Sequence, residues 1–170
     1  YMCDDTIHQT QYTQPALVIF ELAMAQVLKQ QGISPICHVG HSIGELAACI
    51  HDGVMTVDDG LWLVHHRARL MQSCPKGTGM LACLISFEKI KSYLENTQLS
   101  VAGINAPKQT VISGPITALE QLKMQLGRIR SILLPVSHGF HSPAMEPIAD
   151  TFYEFASQID YAPAKTPIYA

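Results

Sequence analysis

The residues best placed by type and spacing to do chemistry are Gly40-His41-Ser42-Ile43-Gly44, lying between a short apolar run and a helical pattern. A GxSxG run in that setting is a nucleophile elbow. Its glycines flank a turn too sharp for larger side chains, and the Ser42 hydroxyl is pushed outward. The helix that starts there aims backbone N–H groups and its positive end at the spot where an oxyanion would develop. A glycine-rich connection with an incidental serine would need no such setting.

A serine hydroxyl is a weak nucleophile and needs a base. Eight histidines compete for that role. His8 and His51 lie in polar or turn surroundings and read as solvated. His65 and His66 are adjacent on one helix, so at most one faces the elbow. His38, on a strand, reads as a core histidine. His138 and His141 lie in the irregular Ser137-His138-Gly139-Phe140-His141-Ser142-Pro143, and local chemistry leaves those two tied. His38/His41 and His138/His141 both show HxxH spacing, but no carboxylate or cysteine completes a ligand array, so no metal is expected. Arg67, on a helical pattern, would recognise a substrate carboxylate through its planar fork if turned inward. Turned outward it would be a surface group, as Arg69 is expected to be. Gln14 either reaches a pocket or simply precedes a helix.

The elements that position these groups follow from periodicity. Residues 1–14 are polar and without period. Pro15 suits a first helical turn, and Leu17, Phe20, Met24 and Leu28 repeat at helical spacing until Gly32. Ile36–Val39 reads as a buried strand, and a second helix runs from Glu45 to near Gly53. Thr56 and Asp59 form a capping box that opens a third helix through Met71. From Met80 the order becomes strand 80–85, helix 87–94, strands 99–104 and 109–113, helix 116–126 and strand 129–135. That is the βαββαβ pattern of a ferredoxin-like lobe. The expected fold is α/β: residues 1–79 and 137–170 form a hydrolase-like three-layer main subdomain, with a helix near 148–157, and 80–136 form an inserted ferredoxin-like subdomain.

Composition sets the outer limits. The 170 residues suit one domain, and 48% hydrophobic with 15% charged excludes a disordered chain. So few charges imply that part of the surface faces more protein. A net charge of −3 with no basic block excludes a nucleic-acid partner. The best apolar run, Ala16–Leu28, is broken by Glu21 and Gln26, so no membrane span is expected. Five cysteines without a CxxC pair suit thiols in a reducing, cytoplasmic setting. The chain opens at Tyr1 without a signal peptide and is expected to be a piece of something longer.

Taken in order, the motifs resemble a known family. Thr13-Gln14-Pro15-Ala16-Leu17, Gly40-His41-Ser42-Ile43-Gly44-Glu45 and Arg67-Ala68-Arg69-Leu70-Met71-Gln72 come first. Asn105-Ala106-Pro107, Val111-Ile112-Ser113-Gly114-Pro115 and His138-Gly139-Phe140-His141-Ser142-Pro143-Ala144-Met145-Glu146-Pro147 follow. Together they resemble the acyltransferase domains of modular polyketide synthases and, more distantly, malonyl-CoA:acyl-carrier-protein transacylase. The resemblance implies that Ser42 is the nucleophile, that His141 rather than His138 is the base, and that Arg67 pairs with the free carboxylate of a malonyl-type substrate. It implies one oxyanion donor from the backbone N–H of Ile43, and pocket roles for Gln14, His41 and Phe140. A backbone carbonyl orients the histidine in that family, so no third acid is required. The partners implied are malonyl-CoA as substrate, an acyl carrier protein and neighbouring synthase domains, with no cofactor.

The segment His138-Gly139-Phe140-His141 resembles the family's malonyl-type HAFH, and Phe140 fills the space a branching methyl would need. Gly139 stands where the family has alanine and is expected to loosen the pocket slightly. The family's GQGSQ segment does not occur, and the chain ends at Ile168-Tyr169-Ala170, about where the family places the histidine-holding asparagine. The chain alone is therefore expected to be an incomplete catalyst. Two other readings compete. A serine acyl hydrolase would use the same Ser–His pair but has no use for a carboxylate clamp, and a non-catalytic scaffold would not need Ser42, His141 and Arg67 intact.

Overall fold

The computed structural model describes residues 5–170 and divides into two compact units, one built from the chain up to Leu70 and from Asp150 onward, the other from Met71 to Ala149. The flanks of the expected small lobe thus belong with it, and the second unit runs wider than 80–136. The cause is local: the carbonyl of Cys74 and the hydroxyl of Thr78 bind His138 and Gly139.

The first unit holds a short 3-10 turn (Asp5–His8), α1 (Thr10–Gln30), β1 (His38–Val39), α2 (Ile43–Asp52), most of α3 (Val57–Ser73), most of α6 (Ala149–Ala156) and β6 (Ile168–Tyr169). Its core gathers Val18, Ala47, Ile50, Met55, Leu63, Val64 and Ile159. Among the described residues its sheet is the parallel pair β1–β6, in register His38 with Ile168.

Two expectations for this unit are corrected. Helix α1 starts at Thr10, not at Pro15, which lies inside it. Its buried stripe is Thr10, Gln14 and Val18, spaced four apart, whereas Leu17, Phe20, Met24 and Leu28 are exposed. Proline there removes one ladder bond, and the buried polar contacts of Gln14 hold that turn instead. The strand before the elbow is only two residues long, with Ile36 89% and Val39 80% exposed, and among the described residues it pairs with β6 alone.

The second unit contains β2 (Thr78–Cys83), α4 (Phe87–Leu94), β3 (Ser100–Ala106), β4 (Gln109–Pro115), α5 (Ile116–Leu126) and β5 (Ser131–Leu133). The sheet is antiparallel in the order β3-β4-β2-β5, the arrangement that βαββαβ connectivity gives in ferredoxin-like folds. Strand β2 alternates half-buried and buried residues along its length, as a sheet covered on one face requires. Leu81 and Cys83 meet Ile90 of α4 and Leu119, Leu122 and Leu126 of α5. A 3-10 turn (Pro143–Ile148) follows.

Candidate active site

Ser42 sits between β1 and α2 with φ 56° and ψ −110°, a left-handed state that costs a non-glycine residue about 1–3 kcal/mol. Two local features hold it there. The Glu45 carboxylate accepts the Ser42 backbone N–H at 3.1 Å. Gly40 lets the chain fold back, since a Cβ there would lie 2.5 Å from the Glu45 backbone. Gly44 is different, because a Cβ on it would meet open space. The turn therefore needs the first glycine and tolerates a side chain at the second. Ile43 is the first residue of α2, so its N–H is one of the donors that helix geometry leaves without an intrahelical acceptor.

Helix α3 delivers Arg67. Its start is fixed by the expected capping box: the Asp59 N–H donates to Thr56 Oγ1 at 3.1 Å and the Thr56 hydroxyl to Asp59 Oδ2 at 2.6 Å. Leu63, Val64, Ala68 and Met71 form its buried stripe, and Arg67 lies beside that stripe, half-buried. Its Nη2 donates to Ser42 Oγ at 3.1 Å, and its Nη1 donates to Gln14 Oε1. Gln14 is buried and donates through Nε2 to Thr10 Oγ1 at 2.8 Å, which fixes which end of the amide faces the arginine. Burial pulls the guanidinium below its ordinary pKa, the Glu45 charge opposes that, and arginine stays cationic. The site is thus a fixed cation beside a strained serine.

Residue by residue, Ser42, Arg67 and Gln14 are brought together. His41 is exposed and lines a cavity of about 340 Å³ with Glu21, Val39, Gly44, His38 and His51, a set without Arg67 or Gln14. His138, Phe140 and His141 belong to the second unit. His138 is fully buried; its Nε2 donates to the Cys74 carbonyl at 2.9 Å and its Nδ1 accepts from the Ser137 hydroxyl at 2.9 Å. Both ring nitrogens are thereby committed, whereas His141 is exposed and carries φ 55°. Ser142 braces the turn, donating to the Gly139 carbonyl at 2.6 Å and capping the helical turn beyond at Ala144.

Gly139 does not loosen its surroundings. It is buried, its N–H donates to Thr78 Oγ1 at 2.8 Å, and a Cβ would lie 2.8 Å from Ser113 Oγ and 3.0 Å from Thr78 Cβ. Glycine here fits a space that its neighbours already fill. His66 stacks on Phe155 with ring centroids 4.1 Å apart, which makes it a packing residue. His51 is not simply solvated, nor is His38 a plain core residue; the two rings bond to each other. Sequence reasoning missed Glu45 and Thr10 as supports of the site. Glu45 was legible, since Ser42-x-x-Glu45 is the capping-box spacing.

Among the described residues no group of three His, Cys, Asp or Glu could hold a metal, and no helix is long and apolar enough to cross a membrane. Cys37, Cys49, Cys74 and Cys83 are thiols, and burial pushes Cys83 up to about 11; Cys3 lies outside the described residues.

Comparison with known proteins gives the family. A phenolphthiocerol synthesis polyketide synthase type I of Mycobacterium marinum is 40% identical over 157 residues, covering 91% of this chain and 7% of that protein. The acyltransferase domain from the second module of the salinomycin polyketide synthase superposes with a TM-score of 0.91 at 34% identity, over 97% of this chain and 40% of that one. The malonyl CoA-acyl carrier protein transacylase of Coxiella burnetii does so with a TM-score of 0.91 at 30% identity, over 98% and 56%. The chain spans 2% to 8% of the length of the curated relatives it matches. The profile of the acyl transferase domain covers residues 3–170, and the chain belongs to that acyltransferase family, shared by polyketide synthase domains and malonyl-CoA:acyl-carrier-protein transacylases.

Proposed function

We propose that this chain carries the acyl-enzyme chemistry of a transferase that moves a malonyl-type group from coenzyme A to the phosphopantetheine thiol of an acyl carrier protein. The observation that carries the reading is the Arg67 guanidinium, half-buried and 3.1 Å from Ser42 Oγ. A cation so close to the nucleophile suits an acyl group that bears its own carboxylate, which the planar fork can grip while the thioester carbonyl meets Ser42.

Ser42 Oγ attacks the thioester carbonyl, the C–S bond breaks, and the hydroxyl proton passes through His141 to the departing thiol. The carrier thiol then reverses each step, attacking the serine ester and returning the proton to Oγ. The N–H of Ile43 stabilises the oxyanion. Phe140 disfavours a branched extender by about 1–3 kcal/mol. Neighbouring synthase domains are proposed as further partners, and the setting as cytoplasmic.

The test is intact-protein mass of the chain extended at both ends by its flanking sequence, after mixing with malonyl-CoA or methylmalonyl-CoA, alongside Ser42→Ala and Arg67→Ala. A malonyl adduct that vanishes in Ser42→Ala and shrinks in Arg67→Ala supports the reading. Free acid released without an adduct points to a hydrolase, and neither adduct nor turnover leaves a scaffold.

A further inference from the structure

A buried acid closes helix α2 at its C-terminal end, where the helix dipole disfavours negative charge. Asp52 is 6% exposed and, among the described residues, belongs to no lysine or arginine pair. Instead its Oδ2 accepts the backbone N–H groups of Lys165 at 2.6 Å and Thr166 at 3.2 Å, and its Oδ1 accepts the Thr166 hydroxyl at 2.7 Å. The same Thr166 oxygen lies 2.9 Å from His38 Nδ1, and His38 Nε2 lies 2.8 Å from His51 Nδ1.

The protons of this run are determined by its end. A carboxylate only accepts, so the Thr166 hydroxyl spends its one proton on Asp52. Its oxygen then accepts from His38, which must carry a proton on Nδ1. A neutral His38 therefore offers Nε2 as an acceptor, and His51 must donate from Nδ1. Every donor points the same way, from His51 through His38 and Thr166 to Asp52. His38 is the first residue of β1, whose backbone pairs with β6 through His38 N to Pro167 O at 2.8 Å and Gly40 N to Tyr169 O at 3.0 Å. The elbow strand is two residues long, and this chain of side chains adds a second hold on it.

We infer that Asp52, Thr166, His38 and His51 form a one-directional hydrogen-bond chain that sets the elbow strand, making Asp52 and Thr166 positioning residues for Ser42. The positioning part rests on the acyl-transfer reading; the proton arrangement does not.

The test uses 15N-labelled protein above the imidazole titration range, with histidine tautomers read from long-range proton–nitrogen correlations and assigned with His38→Gln and His51→Gln. His38 and His51 are both expected as Nδ1–H tautomers. Thr166→Val keeps the Lys165 and Thr166 N–H bonds to Asp52 but removes the hydroxyl. It is expected to free His38 from the Nδ1–H form and to slow Ser42 acylation at saturating malonyl-CoA about tenfold, with KM unchanged. Thr166→Ser is expected to restore both. His38 found as the Nε2–H tautomer in the parent protein would overturn the chain. A Thr166→Val variant with altered tautomers but parental acylation would overturn the positioning role. Failure of the parent, carrying its flanking sequence at both ends, to acylate would remove the transferase reading, while the tautomers still judge the chain.

Discussion

The Arg67 guanidinium donates to the Ser42 hydroxyl at 3.1 Å while its other terminal nitrogen is held by Gln14. The nucleophile and the cation are thus set relative to each other before any substrate arrives. Lysine offers a point charge on a flexible stem and cannot span both partners. Arg67→Lys and Arg67→Ala are expected to lower malonyl-enzyme formation about 10- to 100-fold, the size of a charge-assisted hydrogen bond. Acetyl-CoA has no free carboxylate, so its acylation rate is expected to change far less. Rapid-quench mass spectrometry with both donors reads the ratio, and an equal loss with each would remove the clamp.

The two elbow glycines make opposite predictions. At Gly40 a Cβ would collide with backbone, which has no flexible end to move, so Gly40→Ala is expected to cost about 3 kcal/mol or more. At Gly44 there is open space, and alanine is the better helix former by up to about 1 kcal/mol. Thermal unfolding of the two variants should therefore move in opposite directions.

Gly139→Ala places a methyl against Ser113 Oγ, Thr78 Cβ and the Gly79 carbonyl. Overpacking of that kind typically costs about 1–3 kcal/mol. Ser113→Ala removes the nearest of the three atoms, so the double variant is expected to lose less than the sum of the singles. A denaturant double-mutant cycle measures the coupling, and strict additivity would show that Ser113 does not limit the site.

Acid should weaken the first unit by a traceable route. Burial first, then the charges of His38 and Lys29, holds His51 below its ordinary 6.5, against the opposing pull of Asp52. The Thr166 hydroxyl, then the N–H groups of Lys165 and Thr166 and the charge of His38, hold Asp52 below 3.8, against burial. Both groups bind a proton less readily folded than unfolded, so unfolding takes up protons and stability rises with pH. The His51 contribution is present above its unfolded value of 6.5 and is lost as pH falls below it; that of Asp52 is lost as pH falls below 3.8. Urea midpoints across this range should fall on acidification, with His51→Gln reducing the slope of the upper segment and Asp52→Asn that of the lower.

What could be read in advance was local. The start of α2 at the elbow, its stop at left-handed Gly53, and the capping box of α3 each rest on residues within four positions of one another. The alternation of β2 and the helical stripes of α4 and α5 likewise carry their own period. The rest depended on distant partners. Pro15 suggested a helix start, but the helix begins at Thr10, and the buried Gln14 within it meets an arginine 53 residues away. His38 and His51 offered no sign of each other, and the threonine that orients them is 128 residues from His38. Gly139 looked like a missing methyl, and only Ser113 and Thr78 show that the space was already filled. Such couplings arise from packing, which no short-range period records.

The pairing of β1 with β6 also sets an order of assembly. The sheet of the second unit has a local start in the turn that places Ala106 opposite Gln109. Contacts of that kind form early, because little chain entropy is lost in making them. The elbow strand must wait for residues 166–169, which leave the ribosome after nearly everything else described here. Ser42 therefore gains this backbone hold only once residues 166–169 have been made, and a nascent chain carries the nucleophile before it has this means of aiming it.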